Sequence, residues 1–265
     1  MEWWLGYLFL GSIVGFFAGL LGIGGGLIMV PILTLIFGAQ NFPPDHILHL
    51  ALGTSMAAIF FSSIASLRTH HAHGAVNWLI VKNMTPGTII GALSGATLAG
   101  SISTKFLSII FIVFTYCAAT QLLFEIVPRS NYNFTHKIKM FIAGNLIGGI
   151  SSLVAIGGGL LTVPFLSLCN VKLQHAIGTA AAMGLPIALA GTIGYVVNGM
   201  LQSQALPEYS LGYVYLPALG WMGIASILTA SLGARTVHIM PTKMIKNIFV
   251  LLLYLLGTKM LIGIL

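Results

Sequence analysis

Three consecutive glycines, Gly24-Gly25-Gly26, interrupt one long apolar run of this chain, and Gly157-Gly158-Gly159 interrupt another. Glycine costs about 1 kcal/mol relative to alanine inside a helix, so three together end one. A helix that restarts after such a break offers free N–H groups and the positive end of its dipole, and such ends bind anions. At membrane depth that backbone is tolerated only where protein or a water-filled cavity satisfies it, so each cluster is expected to line a cavity. Thr54 and Ser55 follow Gly53, and Thr179 follows Gly178, inside otherwise apolar segments. A hydroxyl there either donates to an oxyanion or bonds its own helix backbone. The candidate substrate-binding set is therefore Gly24, Gly25, Gly26, Thr54, Ser55, Gly157, Gly158, Gly159 and Thr179.

Other polar residues suggest other chemistries. His70, His71 and His73 have the spacing of a zinc or copper cluster, and a metal-ion permease built on them is the alternative reading. No cysteine or carboxylate accompanies them, so no metal site is assigned. Beside Arg68, His70 instead reads as part of a cationic entrance for an anion. His46, His49 and His175 precede the two Gly-Thr pairs, and histidine is the side-chain type suited to carrying a proton near neutral pH. Ser151 or Ser152 could serve an intramembrane enzyme as nucleophile, but no general base stands nearby and no enzyme is expected. A phosphate-loop reading of Gly22-Ile23-Gly24 fails for want of a βαβ unit and a following Gly-Lys-Ser/Thr. The acidic residues Glu2, Asp45, Glu125 and Glu208 fall at segment ends. With no carboxylate inside a span, a coupled proton or sodium ion would rely on histidine, substrate protonation or carbonyl oxygens. No cofactor is implied.

What must position these residues follows from composition. Of 265 residues, 57% are hydrophobic and 6% charged, with a mean hydropathy of +1.01, where a soluble domain is roughly 25% charged. No water-soluble fold hides that much apolar surface, whereas a bilayer covers about 20 apolar residues per span. The net charge of +7 does not signal nucleic acid, because the basic residues sit between apolar runs, as interfacial anchors do. Cys117 and Cys169 read as small buried hydrophobes. The N-terminal segment lacks a basic region and a small-residue cleavage site, so its first helix is expected to stay in the mature protein.

Apolar runs cover about 5–38, 47–67, 76–100, 104–127, 137–169, 174–198, 211–235 and 243–265. As one helix, 5–38 would be roughly 50 Å long, against a hydrocarbon core of about 30 Å. The first and fifth runs are therefore expected to be pairs of shorter helices folded back at their glycines. The two runs also match in sequence. Gly15, Gly24, Gly25, Gly26 and Pro31 recur as Gly148, Gly157, Gly158, Gly159 and Pro164, at an offset of 133 (157 − 24). Ala51-Leu52-Gly53-Thr54 recurs as Ala176-Ile177-Gly178-Thr179 at an offset of 125 (179 − 54). Gly95-Ala96 and Thr104-Lys105 recur as Gly233-Ala234 and Thr242-Lys243 at an offset of 138 (242 − 104). One unit, about 5–127, is thus used again at about 137–265.

Charge then orients the units. If each broken run enters and returns, one face collects Arg68, Lys82, Arg129, Lys137, Lys139, Lys172, Arg235, Lys243 and Lys246, and the other only Lys105 and Lys259. By the positive-inside rule the first face is cytoplasmic and both termini lie outside. An odd number of crossings, repeated, gives two oppositely oriented halves, the pattern of secondary transporters with a midplane site. The fold expected is an all-α polytopic bundle of two inverted repeats, each a glycine-broken helix pair followed by three spanning helices, in one domain over 1–265. The partners expected are a small anion, the bilayer and, as a candidate, a second copy of the chain.

The segments Gly19 through Pro31 and Ala51-Leu52-Gly53-Thr54-Ser55, with second copies Gly157-Gly158-Gly159 through Pro164 and Ile177-Gly178-Thr179-Ala180, resemble the sulfite exporter TauE/SafE family of membrane permeases over essentially the whole chain. The resemblance implies secondary transport of sulfur-containing anions such as sulfite, thiosulfate or organosulfonates; a bundle of apolar helices suits the inner membrane, and Arg68 with its neighbouring histidines on the cytoplasmic side suits export. Ala180 stands where the first copy has Ser55, so the two halves would not donate alike.

Overall fold

The computed structural model describes residues 3–21, 24–124, 136–202, 206–236 and 242–264. Glu2, Gly22, Ile23, Glu125 and Arg129 lie outside the described residues, as do the side chains of Arg235 and Lys243. The chain forms α1 (Trp3–Leu21), α2 (Gly26–Ala39), α3 (Ile47–Ala72), α4 (Trp78–Ser101), α5 (Thr104–Leu123), α6 (Lys137–Leu153), α7 (Gly159–Leu168), α8 (Leu173–Met200), α9 (Leu216–Thr236) and α10 (Thr242–Ile264). Between α8 and α9 a minimal antiparallel hairpin joins β1 (Ser210–Leu211) to β2 (Val214–Tyr215). The hairpin aside, the regular structure of the described residues is all-α. Among the described residues five segments, within α3, α5, α8, α9 and α10, are long and apolar enough to cross a membrane.

Both expected breaks are present: α1 stops before Gly24 and α6 before Gly157. The first pair folds back on itself, since Gln40 Nε2 after α2 donates to Tyr7 Oη near the start of α1 at 2.6 Å. The two arms then find different neighbours. α1 packs chiefly on α9, and α2 on α3. Correspondingly, α6 packs chiefly on α4, and α7 on α8.

The glycine ladders explain the closest of these contacts. Gly11, Gly15 and Gly19 face Met222, Ser226 and Ala230 of α9, and Gly87, Gly91 and Gly95 face Phe141, Asn145 and Gly149 of α6. Lipid offers no hydrophobic drive between helices, so close backbone packing over small residues supplies the attraction. Asn145 adds a weak bond, its Nδ2 donating to the Gly87 carbonyl at 3.5 Å.

α3 and α8 occupy the centre, with long buried stretches that include Leu52, Met56, Ile59, Met183 and Ile187. Ser63 lies against Gly184 while Met56 lies against Gly191, so the two helices run antiparallel. α5 and α10 are antiparallel as well: Tyr116 Oη meets Thr258 Oγ1, and Thr120 Oγ1 meets Tyr254 Oη, each at 2.8 Å. Both leave large apolar side chains outward, including Phe106, Val113, Leu251 and Leu255, a surface that hydrocarbon would cover. Lys82 and Lys137 line one groove of about 310 Å3 between α4 and α6, which places these two basic residues together at one end.

The ladder packing has a measurable consequence. A Cβ at position 91 would run into the Asn145 carbonyl. Overpacking of this kind costs about 1–3 kcal/mol. We predict that Gly91→Val lowers the thermal unfolding midpoint in detergent, while Gly38→Val, where added atoms meet open space, leaves it nearly unchanged.

Candidate functional site

The second arm of each broken run starts from a glycine in the left-handed region. Gly25 (φ 71°) is the N-cap of α2 and Gly158 (φ 80°) that of α7, a conformation costly for residues with a Cβ. Neither cap is closed by a side-chain hydrogen bond. The helical ladders begin with Ile28 N–H and Met29 N–H donating to Gly25 O, and with Leu161 N–H and Thr162 N–H donating to Gly158 O. The amides ahead of them stand outside those ladders, at the positive ends of the helix dipoles.

The two turns touch. A Cβ at Gly24 would lie 2.6 Å from Gly157 Cα, and one at Gly157 would lie 2.8 Å from Gly24 Cα. Ile59, the thirteenth of the 26 residues of α3, packs over Gly24, Gly26 and Gly157. Ile187, the fifteenth of the 28 residues of α8, packs over Gly158. The glycine junction therefore sits at mid-length of both central helices.

Beside it lies a cleft lined by Ala18, Gly24, Ser62, Ser63, Ser66, Gly157 and Ala181. In this conformation it offers about 10 Å3, room for a single water. An oxyanion of four or five heavy atoms needs more, so occupancy requires the walls to part. Ser62 Oγ donates to the Ile59 carbonyl of its own helix at 3.1 Å. Ser66 Oγ is buried without a partner. On α8 the positions matching the serines by the offset of 125 are Ile187, Ala188 and Gly191, and the space at Gly191 is filled by the Met56 side chain. The junction is thus polar on one side and plugged on the other.

The remaining residues singled out from the sequence fall elsewhere. Thr54 Oγ1 accepts the N–H of Tyr215, and Thr179 Oγ1 accepts the N–H of Asn77, both at 3.0 Å. Tyr215 and Asn77 are themselves related by the offset of 138 (215 − 77). Gly53 lies against the Tyr213 carbonyl, and Gly178 lies against that of Ala75 at the same offset (213 − 75). Each Gly-Thr pair therefore clips the backbone that leads into α9 or α4, from a helix belonging to the other unit. Both threonines are wholly buried in this role. Ser55 is buried and its hydroxyl unpaired, but it does not line the cleft.

At the end of α3, Arg68 is exposed and His70 half-buried. His71 Nδ1 accepts the Trp78 indole N–H at 3.3 Å, and His73 Nδ1 meets the Thr69 carbonyl at 2.7 Å. The rings are tied to separate neighbours. Among the described residues no three His, Cys, Asp or Glu side chains gather to hold a metal ion. At the opposite end of α3, His49 Nε2 lies 3.1 Å from both the Ala99 and Ile102 carbonyls and its ring stacks on Tyr213, closing the bundle beneath the hairpin. Burial pushes the phenols of Tyr213 and Tyr215 above their ordinary range, so they stay neutral.

Sequence reasoning missed Ser62, Ser63 and Ser66. Their spacing puts Ser62 and Ser66 on one face of α3. That signal is weak, because a serine inside an apolar helix commonly bonds its own backbone, as Ser62 does.

Comparison with known proteins places the chain among membrane transporters. The family model described as Sulfite exporter TauE/SafE matches residues 7–260. A probable membrane transporter protein of Haemophilus influenzae is 33% identical over 254 residues, covering 96% of each chain. A probable membrane transporter protein of Methanocaldococcus jannaschii is 28% identical over 264 residues, covering 96% of this chain and 94% of its own. No solved structure matches.

The clips can be tested apart from any transport. Thr54→Val or Thr179→Val removes the acceptor of a partly buried backbone hydrogen bond, a loss of about 1 kcal/mol each. We expect each to lower the unfolding midpoint, the double variant to lose roughly the sum, and Thr→Ser at either position to restore most of it.

Proposed function

Because the chain belongs to the sulfite exporter TauE/SafE family, we propose that this multi-pass membrane transporter is a secondary permease that exports small sulfur oxyanions or organosulfonates, such as sulfite, across the inner membrane. Its two halves, about 5–127 and 137–265, are oppositely oriented, and the substrate passes where their glycine turns meet. The observation that carries this reading is the contact of Gly24 with Gly157 at mid-length of α3 and α8. Opposed orientation is supported by the antiparallel courses of the matching helices α3 with α8, and α5 with α10.

The turns bring the dipole ends of α2 and α7 to one point in the protein's interior. Such ends stabilise a negative solute with oriented amides that need no reorganisation. Gly24, Gly25, Gly26, Gly157, Gly158 and Gly159 are the binding surface, and Thr54 and Thr179 position it by holding the two halves together. Arg68 and His70 belong to the basic, cytoplasmic end, where they raise the local anion concentration. The cleft lies on the part of α3 between its middle and that end, and the matching space beyond the middle is filled by Met56 and Ile187. A rocking of α3 against α8 that empties the plugged side as it closes the serine side would carry the anion outward. A proton or sodium ion is the candidate coupling partner.

Two measurements test this. In proteoliposomes, Gly25→Leu and Gly158→Leu should each reduce flux of labelled sulfite or a labelled sulfonate by more than about tenfold, because a Cβ is strained at these angles and crowds Val14 or Ile187. Unchanged flux in variants with native-like unfolding midpoints would refute the site. For orientation, in a cysteine-free background, Asp45→Cys should react with an impermeant maleimide from outside the cell and Arg68→Cys only after lysis. The reverse pattern rejects the topology.

A further inference from the structure

The described residues that line the cleft carry no charge: they are alanines, glycines and serines. This holds for every element around it, for α1 through Ala18, for α8 through Ala181, and for both turns. Arg68 and His70, the titratable side chains that follow Ser66 along α3, do not line it. A set of neutral hydroxyls and amides can replace the water around one negative charge. A second charge on the same ligand would be buried with no counter-ion, which an apolar interior does not tolerate.

The serines supply the donors, and they differ among themselves. Ser62 gives its proton to the Ile59 carbonyl. Ser66 Oγ is only 5% exposed by residue and has no partner. An unpaired buried hydroxyl is the exception in folded proteins and calls for an explanation. Ser63, one turn earlier on the same cleft, stands in contact range of Gly184, where any larger residue would cover its hydroxyl. Nothing matches these hydroxyls on α8, where Ala188 and Gly191 stand at the corresponding positions.

We propose that the cleft selects small oxyanions with a single negative charge, hydrogensulfite rather than the sulfite dianion, or a monoanionic sulfonate, and that the hydroxyls of Ser63 and Ser66 bind their oxygens. The proposal rests on the permease reading above and adds the charge state of the cargo and the residues that hold it. It makes sulfite transport depend on pH through the substrate: flux follows the fraction of hydrogensulfite and falls as pH rises through the second ionisation of sulfurous acid. A sulfonate, singly charged throughout that range, shows no fall from its own ionisation, so the ratio of sulfite to sulfonate flux at each pH separates the charge state of the cargo from any coupled proton.

The test uses the full-length protein in proteoliposomes with labelled sulfite, methanesulfonate and sulfate, below and above that ionisation. Expected are a sulfite flux that, at constant total sulfite, drops with pH relative to the methanesulfonate flux at the same pH, and no sulfate flux. Ser63→Ala with Ser66→Ala should raise the KM for methanesulfonate by about tenfold or more, as loss of two hydrogen bonds predicts, with an unchanged unfolding midpoint. Sulfate carried as fast as methanesulfonate, sulfite flux that grows with the dianion, or an unchanged KM in the double variant would each overturn this inference and leave the permease reading standing. If the wild type carries neither sulfite nor methanesulfonate, the permease reading itself falls, and this inference with it.

Discussion

Hydrocarbon supplies no hydrogen-bond partner, so a helix can be broken inside a membrane protein only where the rest of the protein shelters the break. This chain is broken twice, and each break is sheltered largely by the other. Gly24 and Gly157 approach so closely that neither tolerates a side chain, and Ile59 from α3 and Ile187 from α8 roof the two turns. Shielding both turns from lipid this way brings the N-terminal ends of α2 and α7 to one place. The contact that protects the backbone is thus the contact that brings together the positive ends of two helix dipoles.

Around that junction the architecture follows from two modes of attachment. Glycine ladders lay α1 on α9 and α6 on α4, joining the first arm of each broken run to a helix of the other unit. The Gly-Thr pairs join the central helices to the segments ahead of α9 and α4, again across units. In each pair the glycine admits a carbonyl and the threonine accepts the amide two residues later. Neither half buries its turn or satisfies its connecting segments alone, so the halves form one cooperative body.

The halves match in their backbone contacts and diverge in the side chains that face the cleft. Ser62, Ser63 and Ser66 have Ile187, Ala188 and Gly191 as counterparts, and Ala181 has Met56. The exchange leaves a small hydroxyl-lined cleft on one side of the junction and packed apolar volume on the other. On the permease reading, that asymmetry is what distinguishes the side of the junction on which a cargo rests. Membership of a family whose matched relatives are described as membrane transporters supports that reading.

Much of this was legible in the residues themselves. Apolar run lengths against a bilayer's thickness gave the helix count, and runs too long for one span located both breaks at Gly24-Gly25-Gly26 and Gly157-Gly158-Gly159. The offsets of 133, 125 and 138 identified which residues correspond. These are properties of local sequence, because helix propensity and hydropathy act over a few turns. What Thr54, Thr179 and the serines do was not legible, since a hydroxyl in an apolar helix looks alike whether it bonds its own backbone, a distant amide or nothing. Only the packing of α3 against α8 and against the connecting segments separates these cases: residues 161 and 102 positions apart must first meet. The sequence by itself determined a twice-used, glycine-broken helical unit suited to lipid; tertiary structure decided that the threonines clip and the serines face the cleft, because partnership is a property of space and not of spacing.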